Sequence, residues 1–412
     1  MTTNPTATWN VQNEWKTVVL MSLGFGLVGI DRFMLLPMFP VIAKELGLDY
    51  QDMGIIAGAL AVTWGLTAIF IGNIADRFGR RKVLIYALIV FSVLVGLSGL
   101  AAGAGSLIVL RAVMGFAEGA YAPAAITATL EASKPSRHGM NLGFQQAALP
   151  LLGLGLAPIV VTQLLHVVDW RWIFVLVALP GFLLAYLVFK VLRDHDPKEL
   201  ALHTATHDAN EHKWTDVLKY RNIPLMMIGM LCWLTVLMVT TALLPNYLTD
   251  YLHLEVQQMG FVLSAIGVGA AVGTVVMPAL SDRIGRKPVM VISVLCALLF
   301  LWLLKGTGPE PGKLFFYLFM TNFFNFACIC LTVGPISAES VPVKLMATGS
   351  GLVIGVGELF GGAVMPSLAG FVAKHYGIQY IMDLALGGLA VGLIVALSLK
   401  ETAPSRTRRA AV

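Results

Sequence analysis

Asp31 and Arg32 stand side by side in GIDRFMLLPMFP, among Gly, Ile, Phe, Met, Leu and Pro. A second pair, Arg111 and Glu118, lies in LRAVMGFAEGAYAPA at 110–124. A guanidinium presents a planar fork matched to a carboxylate, and a carboxylate in low dielectric takes up a proton reversibly. Two of each predict a balanced polar centre in which a guanidinium can receive a carboxylate and a carboxyl can hold a proton. Arg111, Gly115, Glu118 and Ala122 recur at helical spacing and share one face. The two charges on that face are two turns, about 10 Å, apart, so each reaches a group on another helix, the first helix being the expected neighbour. The competing expectation is an ion-pair network that only fixes helix register.

Charges so placed need elements that hold them in an apolar medium. Of 412 residues, 57% are apolar and 12% charged, and the mean hydropathy is +0.80; soluble domains run near a quarter charged. A membrane span needs about 20 mostly apolar residues. Twelve such runs are predicted, roughly 17–40, 53–74, 83–103, 106–130, 140–165, 172–191, 222–248, 258–280, 288–304, 313–335, 346–372 and 378–399. The expected class is therefore an all-α integral membrane protein of twelve transmembrane helices. A short polar leader precedes the first run, and no small-residue cleavage site predicts a removable signal peptide.

Lys and Arg fix the orientation. With both termini inside, 21 of the 28 fall on the inner face, five on the other (Lys44, Arg171, Lys305, Lys313, Lys374), and Arg32 and Arg111 lie within spans. Both termini are thus expected in the cytoplasm, in a bacterial inner membrane. The same asymmetry accounts for the net charge of +5 without nucleic acid, since no aromatic interleaving accompanies the basic residues. All four cysteines, Cys232, Cys296, Cys328 and Cys330, fall within spans and read as small apolar fillers. The one long polar stretch, 193–221, divides the runs into halves at 1–192 and 222–412. Its His195, His203, His207 and His212 are interspersed with Asp, Glu, Lys and Thr and read as part of a solvated linker rather than a metal tract.

GNIADRFGRRKVL at 72–84 recurs as PALSDRIGRKPVM at 278–290. Asp76, Arg77, Gly79 and Arg80 match Asp282, Arg283, Gly285 and Arg286 at an offset of 206, half the chain. Pro158 and Pro366 echo near that spacing. Duplicated six-span halves are one of the repeat plans of secondary transporters. Asp76 sits at a span end, Gly79 permits a tight turn, and Arg80, Arg81 and Lys82 hold to the interface. A basic loop serving topology alone explains the charges but not their recurrence.

GNIADRFGRRKVL resembles the signature loop between helices two and three of the major facilitator superfamily, and LRAVMGFAEGAYAPA its fourth-helix motif. The resemblance spans the whole chain and implies two six-helix halves working by alternating access. It makes the two signature loops, together with Arg111, a conformational latch. Asp31-Arg32, then Pro40 and KELGL at 44–48, resembles the first helix of the anion:cation symporter branch. That resemblance implies that Arg32 contacts a substrate carboxylate while Asp31 and Glu118 carry protons. Where the branch has a Tyr before the pair and an Asn two residues after the Arg, this chain has Val28, Gly29 and Met34.

Gln145, Gln146, Tyr121, Trp233, Asn322 and Asn325 are further candidates to line the cavity, against the plainer role of helix–helix hydrogen bonds. Glu358, in GVGELFGG, lies between glycines that bring a neighbouring backbone close and is expected to be a second proton or cation site. Three classes are weighed: proton-coupled uptake of a small organic anion, proton-driven drug or metabolite export, and a membrane enzyme or receptor. Exporters of that kind carry Gly-x-x-x-Gly-Pro-x-x-Gly-Gly in helix five, whereas GLGLAPIVV here has Ala157 before Pro158 and no Gly pair after it. No nucleophile elbow, metal-ligand spacing or phosphate loop is found, so no enzyme, cofactor or metal is expected. Uptake of an organic anion by a monomer driven by a proton gradient is the reading that results.

Overall fold

The computed structural model describes residues 11–78, 80–134, 137–192, 214–342 and 346–403. Among the described residues there is no strand. The long helices are α1 (Val11–Leu46), α2 (Tyr50–Phe78), α3 (Arg80–Ser98), α4 (Ala104–Ala132), α5 (Met140–Leu164) and α6 (Trp170–Val191). The second set is α7 (Asn222–Tyr251), α8 (Val256–Ile284), α9 (Arg286–Lys305), α10 (Pro311–Ile336), α11 (Gly349–Tyr376) and α12 (Ile381–Ser398). Eleven helical segments are long and apolar enough to cross a membrane, and α2 is 29 residues long. Eleven of the twelve expected runs correspond to these segments among the described residues, and the run at 53–74 lies within the helix α2. The linker histidines lie outside the described residues. The four cysteines are free thiols within or beside the packed core.

Helices bend where the sequence removes a hydrogen bond. Pro37 has no N–H for the carbonyl one turn back, and α1 turns at Met34, beside Asp31 and Arg32. Wider π turns occupy Leu149–Leu156 in α5, Thr332–Ile336 in α10 and Glu358–Val364 in α11, each in a stretch with Pro within or just after it. Such turns aim side chains that a regular helix would not.

Helices α1–α6 pack together, as do α7–α12, and the halves meet along two seams, α2 against α11 and α5 against α8. Without a hydrophobic force between helices in lipid, small residues let backbones approach. A Cβ on Gly58 would lie 2.7 Å from the Ala363 carbonyl, and Gly54 sits closer still on that of Pro366. On the other seam a Cβ on Gly260 would lie 2.9 Å from the Pro158 carbonyl, and Gly155 and Gly267 face each other. Gly54 and Gly260 are 206 apart, so the weak proline echo marks one interface built twice. Both seams lie toward the face opposite the chain ends. That face is also pinned by Tyr50 Oη donating to Asp250 at 2.9 Å and by Lys374 pairing with Asp49 at 2.7 Å.

Candidate functional site

Arg32 of α1 reaches across to the other half. Its Nη2 pairs with Glu358 Oε2 at 3.0 Å, and both side chains are 9% exposed. The guanidinium lies over the rings of Phe33 and Trp64 at 5.6 and 5.2 Å, a favourable arrangement for a desolvated cation. Glu358 opens the π turn of α11. Gly357 and Gly361 seat that turn on Met230 and Leu231 of α7, and a Cβ on Gly362 would come within 2.8 Å of the Glu358 carboxylate. Gly361 thus lets the Leu231 backbone of α7 approach the turn that bears Glu358. Sequence reasoning placed Arg32 with the α4 charges; its direct partner belongs to the other half. A cross-half pair 326 residues apart leaves no periodic signal in the chain.

Behind Arg32, Asp31, Arg111 and Glu118 are buried and within one another's electrostatic reach. Among the described residues they make no ion pair. Arg111 donates from Nη1 to the backbone carbonyls of Asp31 at 2.7 Å and Arg32 at 3.4 Å. Among the described residues neither Glu118 oxygen, Asp31 Oδ1, nor Arg111 Nε and Nη2 has a hydrogen-bond partner. Buried polar groups are nearly always paired, so a cluster like this one calls for a functional account. The Arg111 side chain, expected as part of the latch, lies in this central cluster and is tied to α1. Toward the face opposite the chain ends the interior beyond Arg32 narrows to a small space lined by Phe33, Ile56, Leu60, Arg111, Met238 and Thr241.

The other candidates are scattered. Tyr121 is buried inside the first half, its hydroxyl donating to the Met21 carbonyl at 3.4 Å and its ring against Phe91. Gln145 is buried with both amide atoms unpartnered among the described residues, whereas Gln146 is exposed. Asn322 donates to the Leu318 carbonyl and Asn325 to that of Trp233, inside the second half. Trp233 itself donates to Thr332. No described contact joins any of these to Arg32. Missed from sequence was Trp64, since an aromatic in an apolar run looks like core. Glu14 was also missed; it is buried at the start of α1, where it accepts from Asn141 and pairs with Arg137.

Of the two signature loops, Asp76, Arg77, Gly79 and Arg80 lie outside the described residues as side chains. The second copy is described. Gly285 has φ +115°, a conformation that favours glycine, and the Glu401 carboxylate caps the following turn through the Arg286 and Lys287 amides. Arg286 pairs with Asp282 and with Glu339 at 2.9 Å, while Arg283 is exposed. These contacts knit α8, α9, the end of α10 and the tail within one half.

A model of the Major Facilitator Superfamily matches residues 21–359 and 226–412. The sialic acid transporter NanX of Escherichia coli K12 is 25% identical over 386 residues, 90% of this chain and 91% of its own. The hexuronate transporter of Bacillus subtilis 168 is 25% identical, covering 91% and 92%. The D-galactonate transporter of E. coli O6:H1 is 23% identical, covering 93% and 96%. Among solved structures, a bacterial homologue of the human lysosomal transporter Spinster, inward-facing and unoccupied, has a TM-score of 0.76 at 15% identity, covering 94% of this chain and 98% of that one. The nucleoside transporter NupG has a TM-score of 0.74 at 15% identity, with the same coverage.

Proposed function

The chain belongs to the Major Facilitator Superfamily, a family of membrane transporters, and we propose that it is a proton-coupled symporter taking up a small organic anion of the sugar-acid type. Arg32 receives the substrate carboxylate; Asp31 and Glu118 carry protons. The chain ends face the cytoplasm of a bacterial inner membrane, the carrier works as a monomer, and the proton gradient is its only energy source. The observation that carries this reading is the buried cluster in which both Glu118 oxygens and Asp31 Oδ1 have no donor among the described residues, beside two guanidinium groups. A buried charge without partners costs several kcal/mol, so carboxyls there change protonation with the occupancy of the cations beside them. Substrate relatives that handle sialic acid, hexuronates and galactonate, all carboxylates, support the cargo class.

Proteoliposomes test it. Wild-type protein is expected to accumulate D-galactonate, a hexuronate or sialic acid when an inward proton gradient is imposed. Glu118→Gln copies the protonated acid in shape, so counterflow exchange persists while uphill accumulation fails. Accumulation by Glu118→Gln equal to wild type removes Glu118 from coupling. A variant that neither folds nor binds points instead to an ion-pair network that only fixes register.

A further inference from the structure

A transported carboxylate and the Glu358 carboxylate need the same fork of Arg32, and the structure shows Glu358 holding it at 3.0 Å. We infer that Glu358 is the protein's own stand-in for the transported anion: it occupies Arg32 while the carrier is empty, yields to substrate, and returns when substrate has left. This rests on the proposed role of Arg32 as the anion site.

The physical need comes from the empty half of a symport cycle. The halves must close over the centre both loaded and empty. Loaded, the substrate carboxylate neutralises Arg32. Empty, closure would bury a lone guanidinium, and breaking a buried pair by removing one partner costs about 3–5 kcal/mol. Of the neighbours able to supply the missing charge, Asp31 and Glu118 make no hydrogen bond to Arg32, and Arg111 adds a like charge. The α2 groups against the pair are Trp64, Ala61 and Gly65, and those of α7 packed on the Glu358 turn are Met230, Leu231 and Leu234. None carries charge. Among the described residues only Glu358 makes the pair, and it comes from the half opposite Arg32, so the contact forms just when the halves meet. Its setting suits a partner that must move: it stands on a π turn, with Gly362 leaving room beside its oxygens. A fixed structural bridge would need neither.

The competition sets a measurable penalty on substrate. If Arg32 is held by Glu358 nine times in ten, apparent affinity is reduced about tenfold. Removing the competitor returns it.

Two experiments decide the matter. In the first, no substrate is used: spin labels at Lys44 and Tyr376, one on each half at the outer face, report closure of the empty carrier in nanodiscs. Glu358→Ala is expected to lose the closed population, and sodium formate, a free carboxylate, to restore it at an ionic strength matched with sodium chloride. Wild type should not respond to formate. Glu358→Gln carries the same comparison without formate rescue if the alanine variant does not fold. A folded variant whose empty state closes like wild type, or a formate effect no larger than that of chloride, overturns the inference. In the second, quenching of tryptophan fluorescence measures binding of D-galactonate, a hexuronate and sialic acid. Glu358→Gln should bind whichever of them wild type binds about tenfold more tightly; equal or weaker binding by folded protein refutes the stand-in. If wild type binds none of the acids, the organic-anion reading fails, while the formate result still decides what Glu358 does for Arg32.

Discussion

Gly58 on the α2–α11 seam offers the sharpest perturbation, because it joins the halves and itself lies against a backbone carbonyl and a serine hydroxyl rather than a charge. A Cβ on Gly58 would stand 2.7 Å from the Ala363 carbonyl, where contacts below 3.4 Å are already tighter than nine in ten. Gly58→Ala therefore forces the two backbones apart by about 0.7 Å, the difference of those two values. Overpacking of this kind costs typically 1–3 kcal/mol. The penalty applies only while the outer face is closed, since that closure creates the contact. It shifts the balance of the two states by roughly 5- to 150-fold toward outer-open forms. Single cysteines at exposed positions of the outer face, modified by a membrane-impermeant maleimide, read the balance: labelling at a site covered by the seam should rise in Gly58→Ala. Gly105→Ala, where a Cβ meets nothing within 4 Å, is the control. Unchanged labelling in folded Gly58→Ala would refute the argument that this glycine sets the distance between the halves.

Arg32→Lys keeps the charge but loses the fork; with one or more charge-assisted hydrogen bonds worth about 1.5–3 kcal/mol missing, substrate binding should weaken roughly 10- to 150-fold, and binding near wild type would remove Arg32 from the site. At the outer face, burial pushes the Asp49 carboxyl up, but the Lys374 ammonium and the Asp52 and Gln51 amides outweigh it and hold it below its ordinary value. The contribution of that cross-half pair to closure is therefore complete above about pH 4 and is lost as pH falls through the lowered value. Distance measurements across the outer face should show opening below pH 4 and none between pH 5 and 7, and Asp49→Asn should abolish the dependence.

The chain made its architecture legible because lipid is a demanding solvent: run lengths, basic residues and the 206-residue repeat each act locally and leave patterns a single sequence keeps. Asp31, Arg32, Arg111 and Glu118 were legible for the same reason, being charges where charges are costly. Their pairing was not. Whether Arg32 meets Glu118 or Glu358 depends on how far one half leans on the other, and helical periodicity carries nothing about that. Arg111 shows the same limit: its spacing from Glu118 put it on the shared face, but that spacing says nothing of the Asp31 and Arg32 backbone carbonyls its guanidinium meets. Gln145, Asn322 and Asn325 were singled out as polar groups in apolar runs, and inside a bundle such groups are used as often to tie helices as to meet a ligand.

The two seams are alike in their glycines and unlike in their charges. Residues 150–162 of α5 and 256–274 of α8 contain no Asp, Glu, Lys or Arg, so their packing can open and close without reference to what the centre holds. The α2–α11 seam is different. Helix α11 bears Glu358 and, one to three turns on, the Ala363 and Pro366 carbonyls that receive Gly58 and Gly54, while α2 lays Trp64 over the Arg32 guanidinium two turns from Gly58. Any movement of Glu358 off Arg32 is therefore a movement within the helix whose backbone forms the closure. A duplicated fold supplies two equivalent hinges for the price of one design, and placing the exchangeable charge on only one of them makes that seam report occupancy while the other simply follows.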